Sequence, residues 1–116
     1  MSERPNLAYK VLTAAELAAL ESDRFAGSPA DARDGFVHLS TAAQLEGTLA
    51  AHFTGQRDLW LAAVDVAAAG PALRWEPSRG GALFPHLHAP LTLNEIVAYG
   101  PLEREADGAI RLPVAG

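Results

Sequence analysis

The chain contains no cysteine. That excludes disulfides, thiolate nucleophiles and cysteine-based zinc sites. Only one lysine, Lys10, stands among nine basic residues, against fourteen acidic ones and a net charge of −5. The positive charges are scattered, so the extended basic stripe of a nonspecific nucleic-acid binder is missing. A local arginine pocket for a small phosphate ligand stays open. No apolar run approaches the roughly 20 residues that cross a bilayer. Met1-Ser2-Glu3-Arg4-Pro5-Asn6 lacks the basic and apolar regions of a signal peptide, so the expected location is the cytoplasm. There is no P-loop, no G-x-G-x-x-G after a strand and no G-x-S-x-G elbow. The expected partner is a small molecule, with no extended nucleic-acid surface and no membrane.

What is present is enough for one domain. The 116 residues are 49% hydrophobic, which suffices for a core without metal or disulfide staples. The reading is a single domain over residues 1–116, with residues 1–7 as a loose tail. Ala8 to Leu12 reads as a strand. Thr13 and Glu16 have capping-box spacing, so a helix starts at Ala14 and ends near Glu21 or Ser22. Residues 23–34 read as loop, with Gly27, Pro29 and three aspartates. Phe36 to Leu39 reads as a strand. Thr41 and Gln44 form a second capping box. Leu45, Leu49 and Phe53 then repeat at helical spacing up to Gly55.

The second half is strand-rich. Leu59 to Val66 is apolar on both faces, as in a central strand. Leu73 to Glu76 is a short strand that Pro77 breaks. Leu83 to Leu87 is extended, but Pro85 argues for an edge or a loop crossing. Ile96 to Tyr99 is another strand. Asp107-Gly108 is a hairpin turn that lets Pro101–Glu105 pair with Ala109–Leu112. Two early helices and many short mixed or antiparallel strands predict an α+β fold.

The chemistry-bearing residues fall in two clusters. In Gly35-Phe36-Val37-His38-Leu39-Ser40-Thr41 a strand hands over to a helix start, where N–H groups and the dipole favour anions. His38 is the candidate catalytic or ligand-holding residue. Ser40 and Thr41 are ligand contacts or helix caps. Downstream, Arg74 and Glu76 share one strand face and Trp75 takes the other. The plain reading is an ion pair over a core tryptophan; the functional one sets Glu76 as a carboxylate and Arg74 as a phosphate fork. Arg79-Gly80-Gly81 could wrap a phosphate or simply turn. His86 and His88, spaced i and i+2, share a strand face. They read as ligand contacts without metal; as an alternative they could hold a metal with His38 or Glu76 as third ligand. His52 reads as a boundary residue of the second helix.

Gly35 to Gln44, Arg74-Trp75-Glu76 and Phe84-Pro85-His86-Leu87 together resemble a bacterial family of small proteins, domain-of-unknown-function family 952, over roughly Tyr9 to Leu102. The resemblance implies an ADP-ribosyltransferase-like fold. Tyr9-Lys10-Val11-Leu12-Thr13, Val37-His38-Leu39-Ser40 and Leu61-Ala62-Ala63-Val64-Asp65 are also similar to the strands of RNA 2′-phosphotransferase, an NAD-using relative. By that likeness His38 and Ser40 line a nucleotide cleft and NAD is a candidate cofactor. Lys10 stands where those enzymes place the histidine that holds the NAD ribose, and Val11 replaces the following glycine. Their catalytic glutamate has no match beyond a loose positional one, Glu95. Three readings result. The first is a nucleotide- or phosphate-binding domain around His38, with phosphoryl or ADP-ribosyl transfer as its reaction. The second is a noncatalytic ligand- or protein-binding module, which Lys10 favours. The third is a histidine-based metal hydrolase on His86, His88 and a carboxylate.

Overall fold

The alternation of β1 (Leu7–Leu12) sets the architecture. Ala8 and Leu12 enter one core, while Tyr9 and Val11 enter a second on the opposite face. In the computed structural model, which describes residues 5–114, β1 pairs with β3 (Trp60–Asp65), and β3 pairs with β6 (Ile96–Pro101). β3 is the middle strand of this sheet, and Leu61, Ala62, Ala63 and Val64 are all fully buried. Its continuous apolar run is what a strand covered on both faces requires. Leu7, expected in the tail, is the first residue of β1. Leu7 already pairs with Asp65, and the Asn6 carbonyl accepts from Val66 N–H. Residues 1–4 of that expected tail lie outside the described residues.

A second sheet runs in the order β2 (Val37–His38), β5 (Leu83–Leu87), β4 (Leu73–Pro77). Every strand pairing among the described residues is antiparallel, so the mixed pairing allowed for is not seen there. The edge position expected of the Pro85 strand is overturned, since β5 is the central strand. Proline fits because of where its missing donor would point. Leu39 N–H donates to the Pro85 carbonyl at 3.1 Å, and Pro85 has no N–H to return the bond. β2 accordingly ends after two residues instead of continuing to Leu39. A backbone bridge between Tyr9 and Ser40 joins the two sheets, with bonds of 2.7 and 2.9 Å.

The helices follow their caps. α1 (Ala14–Glu21) carries the Thr13–Glu16 capping box and buries Leu17 and Leu20. The Thr41–Gln44 box caps a 3-10 turn, Ala42–Gln44, which continues as α3 (Leu45–His52). α3 buries Leu45 and Leu49, and ends three residues before Gly55. The loop expected over residues 23–34 contains instead α2 (Pro29–Asp34). Ser28 and Asp31 cap it reciprocally, Pro29 opens it and Gly35 closes it at a φ of +84°, all familiar helix-end chemistry. A short α4 (Val66–Ala69) follows β3, with Asp65 accepting from Ala67 N–H. The hairpin around Asp107-Gly108 is reduced to a bridge between Arg104 and Ile110. No helix among the described residues is long and apolar enough to cross a membrane.

Candidate functional site

The second sheet turns Val37, Leu73 and Leu87 into the core. Side chains one residue along each strand face the other way. His38 is opposite His86, and His86 is opposite Arg74, so these three form one cross-strand row. His88 and Glu76 continue the same face of their strands, and Phe84 lies opposite Glu76. The Phe36 ring packs over three imidazoles, at 4.1 Å from His86, 4.5 Å from His38 and 5.0 Å from His88. Arg79 lays its guanidinium over the Phe84 ring at 4.9 Å, beside Gly47 of α3.

Each imidazole meets a carboxylate. His38 Nδ1 lies 2.7 Å from Asp31 Oδ1, and its Nε2 lies 2.9 Å from Asp34 Oδ2. His86 Nδ1 and His88 Nε2 both reach Glu76 Oε1, at 2.9 and 2.7 Å. Since an ionised carboxylate only accepts, each of these contacts is a hydrogen bond in the tautomer that carries the proton on that ring nitrogen. These bonds from His88 and His86 hold the Glu76 carboxyl below its ordinary value. One donor atom from each of Glu76, His86 and His88 lies within 4.8 Å of the others. His38 is not in that group.

Asp31 is the junction behind the face. It is buried, and it accepts from Lys10 Nζ, Ser28 N–H, His38 N–H and the His38 ring. Burial acts to raise its carboxyl, but the Lys10 ammonium and the N–H groups of His38 and Ser28 outweigh that and hold it below the usual range. Arg33, hydrogen-bonded to Asp34, holds that exposed carboxyl down to about 2. An unfolded aspartate titrates at about 3.9. The ionised Asp31 therefore contributes in full above that pH, and its contribution is lost as pH falls through the lower folded value. Tm should drop below about pH 4, and Asp31→Asn should show a shallower drop over the same window. Parallel profiles for the two proteins would contradict this.

The structure places the sequence candidates unequally. His38, Arg74, Glu76, His86 and His88 share one face, with Arg79 beside it. Lys10 is buried, 2.9 Å from Asp31 Oδ2 and donating to the His38 carbonyl. Ser40 is buried and shares a 2.7 Å hydrogen bond with Thr48 of α3. Thr41 is a cap, its hydroxyl accepting from Gln44 N–H. Arg74 does not pair with Glu76, because Glu76 turns to the imidazoles; Trp75 packs against the first core. Glu95 closes a capping box with Thr92. His52 ends α3, exposed. Sequence reasoning missed Asp31 and Asp34 as partners of His38. Ser28-Pro29-Ala30-Asp31 is the signal that finds them, since a capping box predicts α2 and α2 carries both aspartates. Beside Phe36 and His88 a cavity of about 440 Å³ opens, lined also by Phe25, Gly27, Gly35 and Pro90.

Fold and face together define a small α+β domain of two antiparallel sheets, one of which presents a histidine-rich, carboxylate-braced surface. The chain belongs to the DUF952 family, whose model, described as a protein of unknown function, matches residues 11–99. It is similar to protein CC0527 of Caulobacter crescentus. The crystal structure of that protein is 44% identical, with a TM-score of 0.80 over 90% of this chain and 93% of that one. Its solution structure, also 44% identical, gives 0.75 over 91% of each chain. Among curated proteins none matches.

Proposed function

We propose that this domain binds a small phosphate-bearing ligand of the nucleotide class against the face of the second sheet around His38. The observation that carries the reading is the row His38–His86–Arg74, with Arg79 beside it. A chain of net charge −5 gathers two guanidiniums and three imidazoles on one small surface. Neither Arg74 nor Arg79 forms an ion pair among the described residues, so their planar forks are available to phosphate oxygens. The neighbouring cavity, lined by Phe25, Phe36 and Leu91 as well as Asp31 and His88, is of a size that takes a small-molecule ring. The resemblance read from the strands around Lys10, His38 and Val64 to ADP-ribosyltransferases and RNA 2′-phosphotransferase implies the same ligand class.

The reading is binding without NAD chemistry. Lys10, at the position where the likeness expects the ribose-holding histidine, has its ammonium closed in by Asp31 and the His38 carbonyl. The His38 ring is likewise engaged by carboxylates on both nitrogens. The test is thermal unfolding with ADP-ribose, NAD, AMP and inorganic phosphate. A native-state ligand at a hundredfold excess over Kd stabilises by about 2.7 kcal/mol, roughly 10 °C in Tm for a domain of this size. Arg74 is exposed, so Arg74→Ala should fold normally and lose the shift. No shift from any compound, or an equal shift in Arg74→Ala, would contradict the proposal.

A further inference from the structure

We infer that Glu76, His86 and His88 form a site for a divalent first-row transition-metal ion of the zinc type. The donor set is two imidazole nitrogens and one carboxylate oxygen, the chemistry that suits zinc and its neighbours. The strands assemble it directly. His86 on β5 and His88 just past its end, spaced i and i+2, both turn toward the carboxylate that adjacent β4 brings. Both rings already converge on Glu76 Oε1, at 2.9 and 2.7 Å, and all three donor atoms lie within 4.8 Å. Metal–ligand bonds of about 2.0–2.2 Å in a tetrahedral array set donors roughly 3.4 Å apart. A withdrawal of the Glu76 carboxylate, together with a turn of the partly exposed His88 ring toward His86, brings the three donors to that spacing.

Two further observations favour a built site. The His86 side chain is 5% exposed and stacks on Phe36 with an interplanar angle of 27°; His88 packs on the same ring. The His86 imidazole is thus held in place before an ion arrives, which lowers the ordering cost of binding. Glu76 and His88 are 35% and 26% exposed, so the ion enters from the open side. Three protein ligands leave at least one coordination position for water or a ligand oxygen. Arg74, in register with His86, lies on the same face.

The inference stands apart from the nucleotide reading, because it is tested with metal alone. Chelator-treated protein is titrated with zinc by calorimetry and with cobalt by its visible ligand-field absorption. One ion per chain at micromolar or tighter affinity is expected. Glu76→Gln and His88→Ala, both at partly exposed positions, should fold and weaken binding by roughly tenfold or more. His52→Ala, at the exposed end of α3, should bind as the parent does. No binding of either ion, or affinity unchanged in both Glu76→Gln and His88→Ala, would overturn the site. So would loss of binding in His52→Ala.

Discussion

Asp31→Ala is expected to be among the most damaging single substitutions in the chain, costing about 3–5 kcal/mol. The side chain is buried and ties three segments together through four contacts. It closes the α2 cap at Ser28, neutralises Lys10 of β1, accepts the N–H of His38 in β2 and holds the His38 ring. Removing it leaves the Lys10 ammonium buried without its counter-charge, the costly half of a broken buried pair. For a domain of this size Tm should fall by about 15 °C or more. Lys10→Met leaves the carboxylate with its three N–H donors, so it should cost less. A double-mutant cycle between the two sites should give a coupling of about 1.5 kcal/mol or more. Urea unfolding of the four proteins measures it, and additive losses would show that the pair is not acting as a unit.

Phe36→Ala is expected to produce the largest change on the functional face itself. Phe36 is half-buried, and its ring contacts His38, His86 and His88 at once. Truncation removes that packing and opens the space over His38, His86 and His88, at about 2 kcal/mol, below the 3–5 of a fully buried phenylalanine. The three imidazoles lose a common wall. Their ring proton signals in NMR should move or broaden together, while those of His52 should stay. If only stability changed and the three rings kept their signals, Phe36 would be packing alone and not an organiser of the face.

Much of the scaffold is legible in the chain because its signals are local. The Thr13–Glu16 and Thr41–Gln44 capping boxes place α1 and the Thr41 turn, and the unbroken apolar run of β3 marks the central strand. Pro85 misleads because proline in a strand speaks against a central position. Its missing donor faces Leu39, where β2 ends, so the strand keeps its central place with only a shortened neighbour. α2 stays hidden because its six residues, Pro29–Asp34, include three charged ones and bury little apolar surface, so periodicity is silent. The site is legible in part for a related reason. The pairing of His38, His86 and Arg74 depends on register, which no spacing between distant segments reveals. The same holds for Lys10. As the one lysine of the chain it reads as a ligand contact, yet alternation along β1 turns it inward, where Asp31 meets it.

The central claim is that the face of the second sheet is where a phosphate-bearing ligand docks. Its most direct test is a backbone and imidazole NMR titration of the intact chain with ADP-ribose. The account predicts concentration-dependent shifts confined to Phe36, His38, Arg74, Arg79, His86 and His88. Shifts clustered instead in the groove lined by Leu49, Phe53 and Leu102, or no shifts at all, would contradict it.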